Sequence, residues 1–433
     1  MGNATEWFDY GVYAATATYL THAFFPGALG TLGTMLGFAV SFVLRPLGGM
    51  VWGPLGDRIG RKAVLAATIL LMAAATGAIG LLPTHASAGV LAPILLIVLR
   101  VVQGFSAGGE YGGAATYLAE CADDRKRGFI GSFLEFGTLA GFVGGSATVL
   151  VCQLALGSAG MDEWGWRIPF LMAVPLGAIG WYLRGKLDES PVFSEVAERE
   201  RPPGGLRALS TTYRRELLTL AGLVVALNVV NYTLLTYQPT YLQNTIGMGE
   251  SATTAMMLTG QLAMMLVLPF FGRLSDRVGR RPLWLFSLVS LAVLAVPMYW
   301  LMGRGTAWAI IGFIVLGLCY VPQLSTISST FPAIFPTHVR YAGFALAYNI
   351  STAVFGGTAP LVNEAVIEAT GWALFPAVYM VGAALIGLVA WNFLRETAGT
   401  SLRGTAVPDA GELSRSFSLI PWRNAPLADG PSR

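Results

Sequence analysis

Several ionisable residues of this sequence sit inside otherwise apolar runs. Between 91 and 119, Arg100, Gln103, Ala107, Glu110 and Tyr111 fall within about a 100° arc of a helical wheel, a polar stripe on one face. Near the start, Glu6, Asp9, Tyr10 and Tyr13 share a face at i, i+3, i+4 and i+7. Arg45 and Glu135 lie in two further apolar runs. At about 1.5 Å per residue, Glu110 is roughly 15 Å, Arg45 roughly 12 Å and Glu135 roughly 10 Å from the nearer end of its run. Acids gathered in a water-poor space can take up and release protons near neutral pH. Asp9, Glu110 and Glu135, with Arg45 and Arg100 as counter-charges, are therefore candidates for proton exchange. Glu6 reads as an acid at the edge of this group.

The second half of the sequence offers neutral polar groups instead. Asn228, Asn231 and Tyr232 share one helical face, and Pro239 should bend the chain just beyond them. Such groups can hold a carboxylate, or can tie helices together at about 0.6 kcal/mol each. With Tyr10, Tyr13, Gln103 and Tyr111 they make a candidate binding set for a small molecule. The amides and Arg100 would take a carboxylate. The tyrosine faces attract a quaternary ammonium by about 0.5–2 kcal/mol. Gly104, Gly108 and Gly112, at i, i+4 and i+8, mark a seam where a second helix approaches closely. They are not a phosphate cradle, since no strand precedes them.

Other chemistries find no support. His22, His85 and His338 are far apart, the three cysteines Cys121, Cys152 and Cys319 have no ligand spacing, and HExxH, GxSxG and GxxxxGK[ST] do not occur. No metal, no cofactor and no enzyme activity is expected. Glu120, Asp123 and Asp124 read as structural partners of Arg58 and Arg61, and His338 as a surface residue. Glu364 and Glu368 read as solvated.

The elements that must position these groups follow from composition. Of 433 residues, 54% are hydrophobic and only 12% charged, and mean hydropathy is +0.61. Soluble domains carry about 25% charged residues, so half the charge of a water-facing surface is missing. A net charge of +3 and a pI near 8.7 come from dispersed basic residues, which argues against nucleic acid. MGNATEWFDY has neither a basic n-region nor a cleavage site and does not read as a signal peptide.

Twelve apolar stretches, each near the length that crosses a bilayer core of about 30 Å, run over 6–25, 31–52, 63–82, 91–119, 129–155, 167–185, 215–241, 252–272, 283–302, 307–333, 342–366 and 372–394. The expected class is an all-α polytopic membrane protein. Its parts are a six-helix bundle over 1–185, a polar central loop over 186–214, a second bundle over 215–394 and a disordered tail over 395–433. Of the 27 Lys and Arg, 23 fall in the even-to-odd loops and the tail, the exceptions being Arg45, Arg100, Arg167 and Arg304. This asymmetry places those loops and both termini in the cytoplasm.

An internal repeat supports the two bundles. GPLGDRIGRK (53–62) realigns with GRLSDRVGRR (272–281) at an offset of 219 residues. The decapeptide resembles the loop signature of the major facilitator superfamily. On that likeness Gly53, Asp57, Arg58, Gly60 and Arg61, and again Gly272, Asp276, Arg277, Gly279 and Arg280, form a tight turn whose acid caps a neighbouring helix. GNATEWFDYGVY (2–13), RPLGGMVWGPLGDRIGRK (45–62), QGFSAGGEYGG (103–113), DRKRGFIGSFLEFGTLAGF (124–142), WGWRIPF (164–170) and FPTHVRYAG (335–343) are similar to the metabolite:proton symporter branch. Within it, 227–242 and 329–351 most resemble the bacterial proline/glycine betaine transporters. GTLAGFVGG (137–145) departs from the antiporter glycine motif at Phe142, and 397–433 shows no coiled-coil heptads.

The resemblance implies proton-coupled uptake of a small polar metabolite at the plasma membrane, by rocking of the two bundles. Partners would be the substrate, protons and the lipid bilayer. Charge counting favours a zwitterion, since two arginines already facing acids cannot neutralise a tricarboxylate. The rival readings are an organic-acid symporter and a non-transporting membrane sensor.

Overall fold

The computed structural model describes residues 2–27, 30–59, 61–108, 110–185 and 211–402; at some helical positions, 53–59, 61–65 and 110 among them, it describes the backbone alone. Among the described residues there is no strand, and apart from the short helix His85–Ala88 the helices fall into twelve runs. They are α1 (Gly2–Ala15, then Ala17–Phe24), α2 (Gly30–Val43, then Arg45–Ile59), α3 (Arg61–Leu81) and α4 (Leu91–Ala107, then Glu110–Cys121). Next come α5 (Arg127–Gly160), α6 (Arg167–Leu171, then Ala173–Gly185), α7 (Arg214–Asn231 and on through Tyr241–Thr245), α8 (Glu250–Val278) and α9 (Arg280–Met302). The last are α10 (Thr306–Leu324, then Ile327–Thr330), α11 (Thr337–Ser351, then Ala359–Thr370) and α12 (Phe375–Trp391). Each apolar stretch expected from the sequence thus corresponds to one run of helical segments.

Local chemistry explains the breaks. Pro239 removes a donor from α7, and the helix answers with π-helical turns on both sides, Tyr232–Tyr237 and Tyr241–Thr245. In α4 the described helix ends at Ala107, with Gly108 still at helical φ/ψ, and helix is described again from Glu110; residue 109 lies outside the described residues.

Seven runs are long and apolar enough to cross a bilayer by themselves. Leu81, Leu154, Leu266, Val293 and Val389 point outward at more than 60% exposure, a surface suited to lipid and not to water.

α1–α6 and α7–α12 make two six-helix bundles. They meet where α5 packs on α8, α2 on α11 and α1 on α7. Small residues permit the closest crossings. A Cβ on Gly104 would lie 1.6 Å from the Ser41 carbonyl oxygen, and one on Gly108 2.0 Å from that of Arg45. Those two glycines therefore form the α2–α4 seam. Gly112 does not belong to it, because its nearest neighbours are Phe344 and Ala345 of α11, at 3.9 and 4.0 Å. Gly11, Gly141 and Gly145 make a second tight seam between α1 and α5.

Candidate functional site

The acidic face of α1 turns inward and meets two arginines separately. Asp9 Oδ2 accepts from Arg100 Nη1 at 3.0 Å and Oδ1 from Gln103 Nε2 at 2.9 Å. Arg100 Nη1 also donates to Gln103 Oε1 at 2.8 Å, and Gln103 Nε2 to Thr76 at 2.8 Å. The guanidinium lies 4.2 Å from the centre of the Tyr13 ring, whose hydroxyl donates to the Thr34 carbonyl. All these groups are buried, Arg100 and Gln103 at 0% exposure. A charge pair survives there because each remaining polar atom is satisfied by a neighbour.

The second arginine sits closer to the interface between the bundles. Arg45 Nη2 donates to Glu6 Oε1 at 3.0 Å and to the Tyr10 hydroxyl at 2.7 Å, and its guanidinium stands 4.5 Å from the Phe42 ring centre. Glu6, expected at the edge, is 4% exposed and belongs to the group. Its counter-ion pulls it inward.

Beside this pair lies an aromatic cluster contributed by both bundles. Tyr232 of α7 stacks against Trp7 at 6.4 Å between centroids and takes edge contacts from Phe42 at 5.0 Å and Phe38 at 5.9 Å. The Tyr232 hydroxyl and Arg45 Nε are buried and have no hydrogen-bond partner among the described residues. Two donors without acceptors beside four rings are an unusual arrangement, since buried polar atoms are nearly always paired.

Glu135 forms a third cluster on α5. The Tyr111 hydroxyl donates to Glu135 Oε1, and the Tyr111 ring stacks on Tyr348 of α11 at 4.7 Å. Among the described residues Glu135 has no arginine partner, unlike Asp9 and Glu6. The side chain of Glu110 lies outside the described residues.

Two of the candidate amides are spoken for by other helices. Asn228 donates to Thr352, in the π-helical turn Thr352–Gly356 between the two segments of α11, at 2.7 Å, and Asn231 accepts from Tyr320 of α10 at 3.1 Å. Here they tie α7 to its bundle. Glu364, expected to be solvated, is half-buried and accepts from Tyr237 at 2.7 Å.

A sequence profile of the Major Facilitator Superfamily matches residues 2–360. The chain belongs to that superfamily. Among curated relatives, the proline/betaine transporter of Escherichia coli (strain K12) is 41% identical, with 97% of this chain and 86% of the relative covered. The glycine betaine/proline/ectoine/pipecolic acid transporter OusA of Dickeya dadantii is 41% identical, with the same coverage. The ectoine/proline transporter ProP of Corynebacterium glutamicum is 40% identical, over 94% of this chain and 84% of its own. Among solved structures, the partially occluded inward-open xylose transporter XylE from E. coli superposes with a TM-score of 0.72 at 17% identity, over 92% of this chain and 97% of that one. The shared fold is the facilitator fold. This superfamily chain is a multi-pass membrane protein and not an enzyme.

The repeated facilitator loop is visible in its second copy. Gly279 takes φ +102°, the left-handed region that the turn requires. Asp276 caps α5 of the opposite bundle, accepting from the backbone N–H of Gly128 at 2.7 Å and of Phe129 at 2.9 Å, and pairs with Arg280 at 2.7 Å. Arg277 is exposed. Of the first copy, Gly53 is described by its backbone alone, and the side chains of Asp57, Arg58 and Arg61, and Gly60 altogether, lie outside the described residues.

The nearby acids have partners among the described residues, whereas the side chains of Arg58 and Arg61, their expected partners, lie outside them. Glu120 pairs with Arg340 at 3.0 Å across the two bundles, Asp124 with Arg127, and Asp123 accepts from the Arg125 backbone N–H at 3.0 Å. Arg340 is buried, and its charge pulls Glu120 to α11. The tail expected to be disordered from 395 is packed through 402, because Glu396 and Leu402 have buried places at this end of the molecule.

Sequence reading missed Trp7, Phe38, Phe42, Tyr320 and Tyr348. Each is an aromatic residue in an apolar helix, and only the meeting of α1, α2, α7, α10 and α11 distinguishes it from a lipid-facing one. Thr76 was detectable as a hydroxyl in an apolar run.

Proposed function

We propose that this protein takes up a small zwitterionic osmoprotectant of the proline or glycine betaine type, by proton symport and alternating access of its two bundles. The observation that carries the reading is the cluster around Tyr232, where both bundles contribute rings and every core arginine already faces an acid. Arg45 Nε and the Tyr232 hydroxyl would bind the carboxylate. Trp7, Phe38, Phe42 and Tyr232 would surround the cation through their ring faces. With no excess positive charge, a di- or tricarboxylate would enter at a severe desolvation cost. The names of the relatives point to the same substrates.

In this reading Glu135 carries the proton, being an acid hydrogen-bonded by Tyr111 and unpaired with any arginine among the described residues. Asp9–Arg100 and Glu6–Arg45 are further proton-linked pairs, and Glu110 stays a candidate. Residues 1–185 and 215–394 rock about the site, joined by the loop at 186–214. The end bearing both repeated loops and both termini faces the cytoplasm, as the basic residues suggest.

The test is uptake of labelled proline and glycine betaine into cells and proteoliposomes, with and without a protonophore. Concentrative uptake abolished by the protonophore supports the reading. Displacement of labelled substrate by citrate or 2-oxoglutarate, with excess proline and betaine inert, would establish the organic-acid symporter instead. Absence of counterflow for every solute would leave the sensor.

A further inference from the structure

Beyond the end of α12, residues 396–402 run across the end of the molecule that bears the repeated loops. Glu396 fixes one end of this segment. Its carboxylate accepts from the backbone N–H of Arg280 at 2.9 Å and Arg281 at 3.0 Å, capping α9, and folds back on its own chain at Thr397 and Ala398. These partners belong to the C-terminal bundle and its own extension, so this end moves with that bundle.

The other end touches both bundles. Arg127 at the start of α5 donates to the Thr400 carbonyl at 3.0 Å. Arg340 of α11 donates to the Leu402 carbonyl at 2.9 Å. The Leu402 side chain, 5% exposed, is buried with Ala119 of α4 and Ala333 beyond α10. Both arginines are buried at 1% exposure, and the peptide carbonyls of the segment supply hydrogen bonds that two desolvated guanidinium groups need.

We propose that residues 396–402 are a strap that holds the two bundles together at their cytoplasmic ends, with Glu396 as its fixed anchor and Thr400–Leu402 as its releasable end. Opening toward the cytoplasm separates α4 and α5 from α10 and α11. It must therefore break the Arg127–Thr400 hydrogen bond and withdraw Ala119 from Leu402. The strap adds to the Glu120–Arg340 pair and the Asp276 cap, but it alone is continuous with the chain that follows residue 402. A binding event or modification on that following chain would thereby act on the inward-opening step. The proposal rests on the alternating-access reading and goes beyond it.

The test is a cysteine pair, Ala119→Cys with Leu402→Cys, in a chain whose native Cys121, Cys152 and Cys319 are serine. Oxidation should join the pair and abolish uptake, and reduction should restore it. Failure to join, or joined protein that transports like the reduced form, overturns the strap. A second arm needs no substrate and so separates a wrong strap from a wrong substrate. Ser328→Cys, buried on α10 against Gly131, should react several-fold faster with a thiol reagent in inside-out vesicles when Leu402→Gln is added, and at the original rate with Leu402→Met. Equal rates in all three chains overturn it as well.

Discussion

At the residue scale, the three acid clusters differ in what their neighbours allow. Glu135 is held by a hydroxyl, and a glutamine carbonyl can accept from Tyr111 equally well. Glu135→Gln should therefore fold and exchange substrate, yet fail to accumulate it against a gradient. Accumulation at the wild-type level would move proton coupling to Asp9 or Glu110. Asp9→Asn should behave differently, because Arg100 is left as a buried charge without a counter-charge. Removing one partner of such a pair costs about 3–5 kcal/mol, which should show as a lowered melting temperature in detergent. Arg100→Gln added to Asp9→Asn should recover much of that stability while accumulation stays lost. For the aromatic cluster, Trp7→Phe should keep affinity and Trp7→Leu should raise KM for glycine betaine roughly two- to thirtyfold, as the loss of about 0.5–2 kcal/mol of cation–π attraction requires. Equal KM values for both variants would remove Trp7 from the site.

At the scale of elements, helix seams decide where side chains are tolerated. Gly104 touches the backbone of α2, whereas Gly112 has side-chain neighbours only at ordinary contact distance. Gly104→Ala should cost about 1–3 kcal/mol through overpacking, or prevent accumulation of folded protein. Gly112→Ala should leave the melting temperature within a degree or so of the parent. The comparison is made by thermal unfolding of the purified chains. A reversed order would mean that α2 and α4 do not cross as described.

At the scale of the whole molecule, the end with the repeated loops is closed by several links between the bundles: Asp276 on the α5 N-terminus, Glu120–Arg340, and the tight α5–α8 contact at Gly128 and Gly272. The opposite end is also tied, by Tyr19 to Glu250 and Thr18 to Gln243, both at 2.5 Å. The structure is thus closed at both ends around the Tyr232 cluster. Asp276→Asn weakens a cap worth about 1 kcal/mol and should alter the transport rate at near-normal membrane levels; an unchanged rate would reduce the loop to a folding signal. Orientation is checked separately. Single cysteines at Ser87 and Thr306 should label from outside, and those at Ser194 and Ser401 only after permeabilisation.

How much of this was legible in the sequence follows from the range of the forces involved. Helix number, the repeat and the polar faces of α1 and α4 were readable, because hydropathy and helical periodicity are properties of contiguous residues. Charge inside an apolar run marked Asp9, Arg45, Arg100 and Glu135 for the same reason, since burying it demands compensation nearby. Which acid compensates which arginine was not readable. Asp9 with Arg100, Glu6 with Arg45 and Glu120 with Arg340 are separated by 91, 39 and 220 positions, and only packing of the helices chooses among the partners within reach. The same holds for Trp7, Phe38, Phe42 and Tyr232, four apolar or amphipathic rings that sequence cannot tell from lipid-facing ones. It holds too for Leu402, one leucine in a polar tail, whose burial depends on a gap between Ala119 and Ala333 that exists only once both bundles are assembled.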